Sequence, residues 1–327
     1  MTTKTAKILE LIEPKKVQRI KLVQSIPAPP SSLVESYTAA AQSKATQRTY
    51  SADLRHFKQH GGAIPATPSM VAEYIAKFAD SLAVATLQHR LIAIHRAHTD
   101  IGIVSPVMDK SVKRTMQGIR RTFGTAQRRV TALVKDDLLE IMVLVDQQSP
   151  LKAARDKALL LIGFAGAFRR SELVALRIED VSTHDTGLEI LIRRSKTDQE
   201  SEGRTVFIPT AKGKTCPVKA LKSWLELASI NEGALFRAVS RHDTILSNKA
   251  LSPQSVALIV KAAVRRVGGD DAASKVAGHS LRAGYCTEAA TVGLQPYQIR
   301  EQTGHKSDVT LARYIRPVAK RKIPSLL

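Results

Sequence analysis

Leu188-Glu189-Ile190-Leu191-Ile192-Arg193-Arg194 and Arg204-Thr205-Val206-Phe207-Ile208 are the only strong strand signals in a chain of 327 residues. Both are short runs rich in β-branched or aromatic residues, and the polar stretch 195–203 between them reads as a turn, so the two make a hairpin. Helical spacing surrounds them: about 135–147, 151–166 and 169–176 before, then 217–229, 252–267, 280–291, 295–303 and 307–315 after. One hairpin among so many helices predicts a mainly α domain with a small β-sheet over 134–327.

Upstream, the pattern is helical throughout. Residues 1–30 read as a flexible lead-in ending in Ile26-Pro27-Ala28-Pro29-Pro30, which cannot continue as a helix. Ser32 with Glu35 reads as a capping box that opens a helix to about Ala41. Further helices are expected near 45–59, 68–80, 84–101 and 109–123. In the third of these, Val84, Leu87, Leu91, Ile94 and His98 recur on one face. Gly102, Ser105-Pro106 and Gly124 punctuate the ends. A small helical domain over 31–125 follows, with a linker near 124–133.

Charge narrows the class. Fifty Lys and Arg against twenty-nine Asp and Glu leave a formal charge of +21. Residues 1–130 carry +12 of it and the remainder +9, so both domains are basic. Such an excess calls for a polyanionic partner, and nucleic acid is the usual one; a generic basic ribosomal or membrane-associated protein is the alternative. Cys216 and Cys286 sit in no metal-ligand spacing, so neither a disulfide framework nor structural zinc is expected, and a reducing cytoplasm fits. No run of 18 apolar residues predicts a membrane span, and no apolar signal core follows the N-terminal basic residues.

Four segments carry candidate chemistry. In Gly166-Ala167-Phe168-Arg169-Arg170-Ser171-Glu172-Leu173, Arg169 and Glu172 share a helical face: a phosphate-binding arginine steadied by a carboxylate, or an ordinary surface pair. Lys196 sits in the hairpin turn, where most lysines are merely solvated. His279-Ser280-Leu281-Arg282 places an imidazole and a guanidinium on one face at a helix start, a pairing suited to handling a proton and a phosphate charge together. Thr303-Gly304-His305-Lys306-Ser307 precedes Tyr314 by a helix, and a tyrosine there is usually a packing residue. A basic run, Lys113, Arg114, Arg120, Arg121, Arg128 and Arg129, is either a solvated face or a strap against phosphates.

Singly each segment is ordinary. Together, in the order Arg, Lys, His-x-x-Arg, Gly-His, Tyr, they resemble the tyrosine recombinase (phage integrase) family over about 134–315. Arg169-Arg170-Ser171-Glu172-Leu173 is similar to the family's first box, His279-Ser280-Leu281-Arg282 to its second, and Gly304-His305 with Tyr314 nine residues later to its third. More softly, the stretch Ala45 to Phe57, which includes Arg48, resembles the opening of the family's helical, SAM-like core-binding domain. Phe168 stands where the family usually has Leu or Met, and Thr303 where Leu usually precedes Gly-His.

The resemblance implies a site-specific recombinase acting on double-stranded DNA for a mobile element or replicon, as a tetramer on two sites, without metal, ATP or other cofactor. A lead-in this short implies no arm-binding domain, and the apolar end Ile323 to Leu327 is a candidate for docking on a neighbour. By resemblance Tyr314 attacks the scissile phosphate to form a 3′-phosphotyrosyl link, and Arg169 and Arg282 clamp its oxygens. His279 takes the tyrosine proton, Lys196 protonates the leaving 5′-oxygen, His305 bonds the phosphate and Glu172 supports the site. A phenol, with its pKa of about 10, needs such help at neutral pH. Arg48 and the basic run become candidate DNA contacts. A type IB topoisomerase and an idle DNA-binding relative are the rival readings; the full residue set argues against the second.

Overall fold

The computed structural model describes residues 32–126, 130–195 and 202–321. The lead-in, Arg128, Arg129, Lys196 and the segment Ile323 to Leu327 therefore lie outside the described residues. The chain divides between Gln127 and Arg128 into two compact units.

The first unit is helical: α1 (Ser32–Ala40), α2 (Lys44–Gln59), α3 (Pro68–Lys77), α4 (Val84–Thr99), a 3₁₀ turn (Pro106–Met108) and α5 (Lys110–Phe123). Ser32 is the first helical residue described, and the Glu35 side chain of the expected box lies outside the described residues. Side-chain caps do open three other helices, through Ser43, Thr67 and Asp109. The predicted stripe of α4 is buried along its length, from Val84 to His98. His98 is a core histidine, its Nε2 accepting from the Ala66 amide at 2.8 Å. Helix α5 turns Val112, Met116 and Ile119 inward and leaves Lys113, Arg114, Arg120 and Arg121 exposed.

The second unit comprises α6 (Lys135–Val145), α7 (Pro150–Ala165), α8 (Arg170–Ala175), β1 (Val181–His184), β2 (Gly187–Ile192), β3 (Arg204–Pro209) and α9 (Pro217–Leu227). Then come β4 (Arg237–Val239), β5 (Ile245–Ala250), α10 (Pro253–Lys275), α11 (Ser280–Thr291), α12 (Pro296–Thr303) and α13 (Asp308–Arg321). The expected hairpin is β2–β3, with Leu188 opposite Ile208 and Ile190 opposite Val206. Those four side chains are buried on one face, each contributing roughly 1.5–3 kcal/mol.

Two features extend the predicted sheet content. Strand β1 adds a third antiparallel strand on β2, and β4–β5 form a separate ribbon. Both escape a search for apolar alternation, because β1 and β5 are almost wholly exposed. Helix α10 runs past its expected end, with a break at Gly269 (φ +70°). Helix α7 packs against α9, and α11 packs against both α7 and α13. Among the described residues, no helix is long and apolar enough to cross a membrane.

Candidate active site

Three chain reversals within the second unit bring the site together. Helix α7 ends at Gly166, and Ala167 adopts a left-handed conformation (φ +49°). Arg169 then caps α8. Its backbone N–H donates to Glu172 Oε2 at 2.9 Å and its Nη1 to Oε1 at 2.5 Å. Glu172 is fully buried, so the pair is no surface ornament: a carboxylate out of water needs such partners.

The second reversal starts α11. His279 occupies its N-cap position, and one turn on, Arg282 is completely buried. Arg282 Nη1 donates to the Ala167 carbonyl at 2.7 Å and Nη2 to His305 Nε2 at 3.2 Å, while its Nε has no hydrogen-bond partner among the described residues. Burial, with Arg169 adding to it, brings this guanidinium down to about 10, so it stays charged at neutral pH. Burial foremost, then Arg282, Arg169 and Arg170, holds the His279 ring below its ordinary imidazole value.

The third reversal follows α12, where Gly304 ends the helix in left-handed conformation (φ +65°). Its carbonyl lies 3.4 Å from Arg169 Nη2. His305 follows, half-buried. Burial and the charges of Arg282 and Arg169 bring it down to about 3, so the ring is neutral. The ring of Tyr314 lies 5.9 Å from that of His305, centroid to centroid. Tyr314 also packs, as part of α13, against a small cluster of Cys286, Ala289, Ala290, Ile299 and Leu311. It is thus both a packing residue and a neighbour of the charged cluster.

Arg169, Glu172, Arg282 and His305 are therefore in one cluster, with His279 in their field and Tyr314 at its border. Of the basic side chains expected to meet DNA, Arg48, Lys113, Arg114, Arg120 and Arg121 are exposed on the first unit. Arg48 and Arg55 flank a shallow depression on α2.

One member was missed. Arg204, the first residue of β3, donates from Nη1 to the Gln302 carbonyl at 2.8 Å, and its Nη2 faces Glu172 Oε2 at 3.5 Å. Burial, the largest influence, lowers its pKa, and Glu172 opposes the shift. The sequence carried a signal: Arg204 shares the inward face of β3 with Val206 and Ile208, where a cation needs a carboxylate. A Cβ on Gly304 would lie 2.7 Å from Arg204 Nε, so the glycine serves this close approach as well as its own backbone angle.

Three guanidinium groups, two of them against the buried Glu172 carboxylate, leave net positive charge, a setting for an anion with several acceptor oxygens. Among the described residues no group of three or more His, Cys, Asp or Glu gathers as a metal site.

Known proteins resemble this chain over most of its length. The pattern of the phage integrase family matches residues 131–321. An integrase/recombinase XerD homolog of Selenomonas ruminantium is 39% identical over 279 residues, covering 83% of this chain and 81% of the relative. The Cre recombinase of Escherichia phage P1 is 25% identical over 77% of this chain and 76% of its own. The crystal structure of the XerH site-specific recombinase in a post-cleavage complex superposes with a TM-score of 0.64, at 21% identity, over 90% of this chain and 83% of that one. These relatives are recombinases rather than relaxing enzymes, and the chain belongs to the phage integrase family as a tyrosine site-specific recombinase, an enzyme that breaks and rejoins DNA.

Proposed function

We propose that this recombinase cleaves double-stranded DNA with Tyr314 as nucleophile. The Tyr314 oxygen bonds to the scissile phosphorus and the bond to the 5′-oxygen breaks, leaving a 3′-phosphotyrosyl ester and a free 5′-hydroxyl. His279 receives the phenol proton; its lowered pKa keeps the ring unprotonated and ready near neutral pH. Lys196 supplies the proton to the departing oxygen. Arg169 and Arg282 hold the phosphate oxygens, and Glu172 keeps both Arg169 and Arg204 in place. Rejoining reverses these steps, because the ester conserves the energy of the broken bond.

The observation that carries this reading is the cluster of Arg169, Glu172, Arg282 and His305 with Tyr314 beside it. The exposed basic side chains of α2 and α5 suit contacts with the duplex backbone, and in sequence the basic run continues to Arg129. Partners named for DNA-bound relatives, such as XerH on its difH substrate, support a duplex substrate here. A tetramer on two sites, serving a mobile element or replicon in the cytoplasm, completes the proposal.

The test uses duplex fragments from the genomic neighbourhood of the gene, incubated with protein and denatured in detergent. Wild type is expected to leave a covalent protein–DNA band, and Tyr314→Phe to bind the same fragment equally well with no band. A band from Tyr314→Phe would remove Tyr314 from the chemistry.

A further inference from the structure

Thr303 stands directly before Gly304-His305 and is completely buried. Its Oγ1 lies 2.7 Å from the Ile299 carbonyl and 2.7 Å from His305 Nδ1. A carbonyl oxygen can only accept, so the hydroxyl's single proton goes to Ile299. The hydroxyl then meets His305 with a lone pair, and Nδ1 must bring the proton.

The opposite edge of the ring gives the same answer independently. Nε2 lies 3.2 Å from Arg282 Nη2, and a guanidinium can only donate. Nε2 must therefore be bare. With the ring neutral, one proton is available, and both neighbours place it on Nδ1.

We propose that Thr303 is a positioning residue that locks His305 in its Nδ1–H tautomer and so reserves Nε2 as an acceptor for Arg282. This rests on the cleavage reading above, in which Arg282 holds a phosphate oxygen. Held by Ala167 at Nη1 and by His305 at Nη2, the Arg282 guanidinium is fixed in its plane. An apolar side chain at position 303 has no acceptor for Nδ1–H, which leaves the contact with Arg282 alone to set the tautomer.

The test is nitrogen NMR of the full chain labelled with ¹⁵N-histidine, with the His305 signals identified by their loss in His305→Asn. Wild type and Thr303→Ser are expected to show a protonated Nδ1 and a bare Nε2; Thr303→Val is expected to shift protonation towards Nε2. In parallel, covalent trapping on a fragment that wild type cleaves reads the chemical step at saturating protein. Thr303→Val is expected to slow it about tenfold with unchanged DNA affinity, the loss of one buried hydrogen bond, and Thr303→Ser to restore it. A wild-type ring protonated at Nε2 overturns the proposal, as does a Thr303→Val protein with unaltered tautomer and rate, or a Thr303→Ser as slow as Thr303→Val. A wild type with the expected tautomer that traps no DNA supports the positioning role and overturns the cleavage reading instead.

Discussion

Glu172 is the residue on which the charged cluster turns. Two of its neighbours are arginines, and it is the only carboxylate against them among the described ion pairs of the site. Glu172→Gln leaves those cations out of water without their counter-charge, and is expected to destabilise the second unit by about 3 kcal/mol, read by thermal or denaturant unfolding. Cleavage is expected to fall with it, since Arg169 loses its fixed orientation. His305 makes a separate prediction about acid. Its folded value of about 3 lies below the ordinary 6.5 of an unfolded chain. Between these values the unfolded chain holds a proton that the folded ring refuses, so the contribution of His305 leaves stability undiminished above 6.5 and erodes it as pH falls towards 3. Unfolding curves across that range should be flatter for His305→Gln than for wild type. The residues of this site were legible in sequence only through their order. Arg169 and Glu172 looked like a surface pair, Tyr314 like a packing residue, and it was the run from Arg169 to the Gly304-His305 step that set them apart. Arg204 lies in none of the boxed motifs, and only its place on the inward face of a strand marks it.

At the scale of elements, helix periodicity and caps made most of the chain readable. The stripe of α4 and the alternation in β2 and β3 each reflect a buried face, which is the property that sequence patterns record. Strands β1 and β5 have no such face; backbone pairing with a neighbour holds them, and pairing leaves no mark on side-chain polarity. The connections between elements carry sharper predictions. Asp243, in the turn between β4 and β5, accepts from Ser149 Oγ and from the Leu151 and Lys152 amides at the start of α7. It caps a helix from which it is distant in sequence, a contact that no local rule anticipates. Asp243→Ala is expected to cost about 1–2 kcal/mol in denaturant unfolding while leaving the cleavage rate per folded molecule unchanged. Gly304→Ala should do the opposite in kind. A left-handed alanine costs about 1–2 kcal/mol, and its Cβ drives Arg204 from beside Glu172, so cleavage is expected to fall further than stability.

Across the whole molecule, the net charge of +21 is shared by both units, which fits a protein whose two units both contact one polyanion. Binding to a duplex containing its site should then weaken by on the order of a thousandfold as salt rises from about 50 mM to about 200 mM. Replacing the exposed Arg120 and Arg121 of α5 together by Ala is expected to lower the steepness of that salt dependence by about two, because two phosphate contacts are removed. The central claim is narrower than the assembly around it: one tyrosine becomes joined to DNA. Its most direct measurement is to trap the covalent complex, digest protein and DNA, and identify the modified residue by mass spectrometry. The account predicts a nucleotide linked through its 3′-phosphate to Tyr314, with a free 5′-hydroxyl on the other fragment. A link through Tyr285, Tyr297 or any residue other than Tyr314 would contradict it.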